Sequence, residues 1–113
     1  MRADQVQQNL ANLSWELTQL HEEYARHNVE ARKAMSAYKV DYARALLSAT
    51  GPMDERKAKA TVVTAEALLT AEVAEAVFDN TRTALRVLGQ RLDAGRTIAS
   101  TIRAEALAAG TGT

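Results

Sequence analysis

The sequence predicts an all-α protein, a long antiparallel helical hairpin resembling a coiled coil, with its turn near Gly51-Pro52. Three observations lead there. About a fifth of the 113 residues are alanine, while aromatic and β-branched strand formers are sparse. Only one segment, Ser48 to Glu55, breaks the helical pattern strongly. On either side of it apolar residues alternate by three and four, the spacing of a narrow helical seam.

The first helix is expected over about residues 3–49. Its seam reads Val6, Leu10, Leu13, Leu17, Leu20, Tyr24, His27, Ala31, Ala34 and Tyr38. Strict register would next bring Asp41 into the seam, so the apolar set shifts to Tyr42, Leu46 and Ala49. The turn follows from backbone chemistry. Gly51 can take the left-handed conformation that ends a helix, and Pro52 fits the first turn of the next one. Asp54 and Glu55 then lie at a helix N-terminus, where negative charge is favoured.

The second helix is expected over about residues 53–108, completing a single domain of residues 1–109. It opens with Val62, Ala65, Leu69, Val73 and Ala76 as its inward stripe. From Phe78 a strict register runs through Thr81, Leu85, Leu88, Leu92, Gly95, Ala99, Ile102 and Ala106. Gly89 and Gly95 each cost roughly 1 kcal/mol relative to alanine, so a kink is expected there, unless Gly95 serves close backbone approach. Residues 110–113 are read as a frayed tail.

Folding the arms about Gly51 brings Tyr42 opposite Val62, Ala34 and Met35 opposite Leu69, and Tyr24 near Phe78. Leu17 and Leu20 fall near Leu85, and Leu10 and Leu13 near Leu92. Small residues would then meet in the middle and large ones at the open end. Each arm would measure about 70 Å. One narrow seam offsets the ordering entropy of so long a hairpin poorly, so self-association into a multi-helix bundle is expected. Trp15 falls at an outward heptad position and supports a second interface. The interface residues nominated are Trp15, Leu13, Leu17, Tyr24, Phe78, Leu85 and Leu92.

Catalytic chemistry is not legible. There is no cysteine, and Ser14, Ser36, Ser48 and Ser100 lack nucleophile-elbow glycines. His21-Glu22-Glu23-Tyr24-Ala25 starts like a zinc-protease motif but has alanine where the second histidine belongs, and His27 points to another face. His27 sits in the seam and reads as a polar register-setter. No phosphate loop is present. A non-enzymatic protein with no metal, cofactor or small-molecule ligand is therefore expected. No stretch approaches the roughly 20 apolar residues of a bilayer span, and no signal peptide opens the chain, so no membrane partner and a cytoplasmic location are expected.

Charge is sorted along a chain whose 14 basic and 14 acidic groups cancel. Residues 51–80 carry net −3 and residues 81–113 net +3. Arg82, Arg96 and Arg103 share one heptad position beside the seam of the second helix, and Glu16, Glu23 and Glu30 share a flanking position on the first. Such flanks select partner and orientation in coiled coils. Alternatively, Arg82, Arg86, Arg96 and Arg103 form a row that contacts nucleic-acid phosphates, weakly, because Asp79 and Asp93 interrupt it and no aromatic interleaves it.

The stretch from Ala37 to Ala60, AYKVDYARALLSATGPMDERKAKA, and that from Leu85 to Glu105, LRVLGQRLDAGRTIASTIRAE, resemble small helical-hairpin accessory proteins encoded by tailed phages, including actinobacteriophages. The resemblance covers about 45 residues and is compositional. It implies a non-catalytic accessory role in phage DNA metabolism inside a bacterial host, exercised on a recombination, replication or host protein, and it transfers no catalytic residue. Hairpins of the WXG family are similar in length, but they carry Trp-x-Gly at the turn, where this chain has Thr50-Gly51-Pro52-Met53. A structural scaffold or chaperone is a further possibility.

Overall fold

Gly51 is the one described residue with a left-handed backbone, φ +108°, and the chain reverses there. The computed structural model describes residues 2–111. These form α1 (Ala3–Ser48), α2 (Met53–Val63) and α3 (Ala65–Thr111), with no strand among the described residues. The result is an all-α helical hairpin, α1 as one arm and α2 with α3 as the other. The last carbonyls of α1 have no partner within the helix. Cations from α2 cover this end: Arg56 Nη2 donates to Leu46 O at 3.2 Å, and Lys59 Nζ to Thr50 O, two residues past the helix, at 3.1 Å. Both place positive charge at the negative end of the α1 dipole.

The chain divides into two units, each containing part of α1 and part of α3. One comprises residues 24–81 and includes the turn. On α1 its seam is the expected one: Ala31 is buried, and Tyr24, His27, Ala34, Tyr38, Tyr42, Leu46 and Ala49 are half-buried. Tyr24 meets Phe78 with ring centroids 5.0 Å apart and planes tilted by 42°. The Arg32 guanidinium lies 5.9 Å from the Phe78 centroid.

On the returning arm of this unit the expected stripe is corrected. Val62, Leu69 and Val73 are 76%, 61% and 54% exposed, and Ala65 and Ala76 are exposed as well. The buried stripe is Ala60, Thr64, Ala71 and Phe78, with Ala67, Leu68 and Ala74 half-buried. Tyr42 therefore does not face Val62, nor do Ala34 and Met35 face Leu69. The reason is size. α1 brings Tyr38 and Tyr42 to its seam, and a stripe of alanines on the other arm leaves space for them, whereas valine and leucine would overfill it.

The other unit comprises residues 1–23 with 82–113. Here Val6, Leu92 and Ala99 are buried, and Leu10, Leu13, Leu17, Leu20, Leu85, Leu88 and Ile102 are half-buried. Ala106, expected in the seam, is exposed. Gly95 accommodates Leu10: a Cβ at position 95 would lie 2.8 Å from Leu10 Cδ2.

The helix break is also relocated. α3 runs without interruption through Gly89 and Gly95. The interruption lies at Thr64, whose φ of −102° and ψ of 10° separate α2 from α3. The buried Thr64 hydroxyl donates to Ala60 O at 2.7 Å, a back-bond of the kind that bends helices. The backbone ladder still crosses the site, from Thr64 N to Ala60 O and from Leu68 N to Thr64 O, both at 3.0 Å. Helix α3 continues past the expected end to Thr111, so Gly110 is helical rather than part of a frayed tail. Residues 112 and 113 of that expected tail lie outside the described residues.

Candidate protein-interaction faces

An α-helix that packs through one stripe leaves the opposite side, about 180° around at 3.6 residues per turn, for solvent or a partner. In the unit of residues 24–81 both arms place apolar side chains on that opposite side. On α1 the outward stripe steps by three and four through Arg26, Val29, Lys33, Ser36, Val40, Ala43 and Leu47. Val29 and Val40 are exposed, and Leu47 is 80% exposed. On the other arm the outward stripe steps by four and three through Val62, Glu66, Leu69, Val73, Ala76 and Asn80, every one exposed. It consists largely of the residues that the sequence pattern assigns to the inward seam. Apolar side chains thus recur along one solvent-facing side of each arm, interrupted by Lys33 and Ser36 on α1 and by Glu66 on the other.

The charges around these two stripes have opposite sign. Residues 24–50 hold five basic and two acidic side chains. Arg26 and Lys33 lie in the α1 stripe, and Lys39 and Arg44 flank it, all exposed, whereas Arg32 turns toward Phe78 and Glu30 pairs with Arg26. Residues 65–81 hold four acidic side chains and no basic one. Glu66 lies in the second stripe and Glu72 flanks it, both exposed, while the exposed Lys59 flanks its α2 end one turn before Val62.

Most nominated interface residues turn inward. Leu13, Leu17, Tyr24 and Leu85 are half-buried, and Phe78 and Leu92 are buried, all within the seams of their own units. Trp15 alone of the seven is outward, at 66% exposure. Its neighbours one turn away, Ala11, Asn12, Thr18 and Gln19, are small or polar, so it stands apart from the patches described above. Extending the Phe78 register backwards by fours and threes yields Ala74, Ala71, Ala67, Thr64 and Ala60, the stripe that is buried or half-buried. That signal is present in the sequence but is masked by the greater hydrophobicity of the valines and leucines opposite.

Arg82, Arg86, Arg96 and Arg103 are exposed within an arc of about 100° on α3. Arg96 lies 3.7 Å from Asp93 on its own helix, and Glu30 likewise pairs along α1 with Arg26 at 3.9 Å. The unit that carries the arginine row holds six basic and six acidic side chains in all, so the row is not part of a net positive body.

His27 is tied into its seam by the Thr81 side chain. Its Nδ1 lies 2.8 Å from the Thr81 hydroxyl oxygen, which also lies 2.9 Å from Val77 O one turn back on α3. The imidazole tautomer sets which of the two donates. Next to the turn, a cavity of about 610 Å³ is lined by Asp41, Arg44, Ser48, Lys59, Val63 and Thr64 among others. Among the described residues no three His, Asp or Glu side chains form a group able to hold a metal, and no helix is long and apolar enough to cross a membrane. No protein-family model, curated protein or solved structure matches this chain.

Proposed function

We propose that the hairpin is a non-enzymatic protein–protein interaction module, and that it serves as an accessory factor of the tailed-phage kind its turn region and C-terminal helix resemble. In that role it engages a recombination, replication or host protein. The observation that supports this reading is the pair of outward apolar stripes on residues 24–81, one rimmed by basic and the other by acidic side chains. Helical recognition through apolar anchors spaced along one side of a helix, with charged flanks that select the partner, is the binding mode such faces serve. The test is site-specific photocrosslinking from position 40 or 69 in expressing cells. A discrete adduct, lost when Leu69 or Val40 is made charged, is expected. A smear of abundant proteins, unchanged by those substitutions, counts against the reading.

A second reading, direct nucleic-acid binding, draws on the exposure of Arg82, Arg86, Arg96 and Arg103 along one side of α3. It requires that affinity for a labelled single-stranded oligonucleotide fall steeply with salt. It also requires that Arg96→Ala with Arg103→Ala weaken binding. The neutral balance of that unit favours the protein-interaction reading, under which anisotropy stays flat even at low salt.

A further inference from the structure

We propose that the occupant of these faces is a second copy of the chain: the basic-rimmed outward stripe of α1 docks on the outward stripe of the other arm of a neighbouring molecule, whose rim is acidic along α3. This rests on the protein-interaction reading and names the partner.

The rims decide which faces can meet. Pairing α1 with α1 would bring Arg26, Lys33 and their basic flanks onto themselves, and pairing α3 with α3 would oppose Glu66 and Glu72 to their own copies. Like charges across a desolvated apolar contact are unfavourable, so each stripe rejects its own kind. The other arm's stripe complements the α1 stripe in charge and heptad spacing, and the chain carries both. Val29, Val40 and Leu47 then supply apolar anchors on one side, and Val62, Leu69 and Val73 on the other, with Arg26 and Lys33 brought against the rim of Glu66 and Glu72.

Geometry sets the mode of assembly. Within the unit of residues 24–81 each stripe lies on the side of its helix away from the seam, so neither face obstructs the other. A contact between two different faces is heterologous. It leaves one free face of each type after every addition and therefore extends head to tail until a ring closes or growth stops. Side-by-side repetition of a hairpin also sets each α1 antiparallel to the adjoining α3. The charge rims make the contact sensitive to salt.

The experiment is sedimentation velocity on the full chain across a range of concentrations, at low and at high salt. Wild type is expected to sediment as species larger than one chain, with an apparent association constant at least tenfold lower at high salt. Two variants test the heterologous mode. Val40→Glu places an acid on the face that meets the acidic stripe, and Leu69→Arg places a base on the face that meets the basic one. Both positions are exposed, and unchanged helicity by circular dichroism confirms that each variant folds. Each alone is expected to be monomeric, and their equimolar mixture to form a heteromer of two or more chains. Self-association of either variant at wild-type strength overturns the proposal, because symmetric pairing would then suffice. So does a wild type that remains monomeric at every concentration. If that monomer nevertheless gives a discrete foreign crosslink that the same substitutions abolish, the protein-interaction reading survives and only the identity of the partner is wrong.

Discussion

At Gly51 and Gly89 the same residue type does opposite things. Gly51 has φ +108°, a conformation that costs an L-residue about 1–2 kcal/mol, and a Cβ there would lie 2.7 Å from Glu55 Oε2. Gly89 lies inside α3, where an added Cβ would meet nothing within 4 Å, so it contributes only the entropic penalty of glycine. Gly51→Ala is accordingly expected to lower unfolding free energy by about 1–2 kcal/mol, and Gly89→Ala to raise it by about 0.5–1 kcal/mol. Urea melts followed by circular dichroism measure both, and the same sign for the two variants would refute the assignment of the turn. His27 and Thr81 make a second case at this scale. Thr81→Val preserves shape but leaves the half-buried His27 Nδ1 without its hydrogen-bond partner across the seam. A loss of about 1–3 kcal/mol in unfolding free energy is expected from urea melts. Unchanged stability would show that the contact adds nothing to the seam.

Among the elements, the interruption between α2 and α3 falls at Thr64, the one buried site of a back-bond that six other threonines make without breaking their helices. The backbone ladder spans Thr64, while its side chain competes for the Ala60 carbonyl that its own amide also uses. Thr64→Ala removes that competitor and adds helix propensity, but it also deletes one buried methyl group. The offsetting effects leave stability within about 1 kcal/mol of wild type. The observable change is local: backbone chemical shifts of residues 62–66 should become uniformly helical. Persistence of the irregular shifts would mean that packing against α1, rather than the back-bond, imposes the break.

For the molecule as a whole, each unit buries one narrow seam while residues 24–81 leave two apolar stripes to solvent. A protein whose apolar faces are covered only on assembly gains stability by mass action. Its thermal midpoint is therefore expected to rise with protein concentration at low salt, and that rise should vanish in Leu69→Arg. A midpoint independent of concentration over a hundredfold range would mean that the single seam suffices for folding.

The fold class, the turn at Gly51-Pro52 and the complete seam of α1 were all legible in the order of residues. These depend on local chemistry: a glycine that tolerates positive φ, a proline that starts a helix, and a heptad whose large apolar residues outnumber those on the outward side, Trp15, Val29, Val40 and Leu47. Trp15 as an outward residue and the arginine row as surface were legible in the same way. The side of the second arm that turns inward was not. That arm has two heptad stripes about 180° apart, one of alanine and threonine and one of valine and leucine. Hydrophobicity favours burying the larger residues, but the space left beside Tyr38 and Tyr42 admits only the smaller ones. Volume across the seam is a property of two packed helices together, so no reading of one helix alone could supply it. The stripe displaced to the surface, with its acidic rim, is what makes the outward face a candidate for binding.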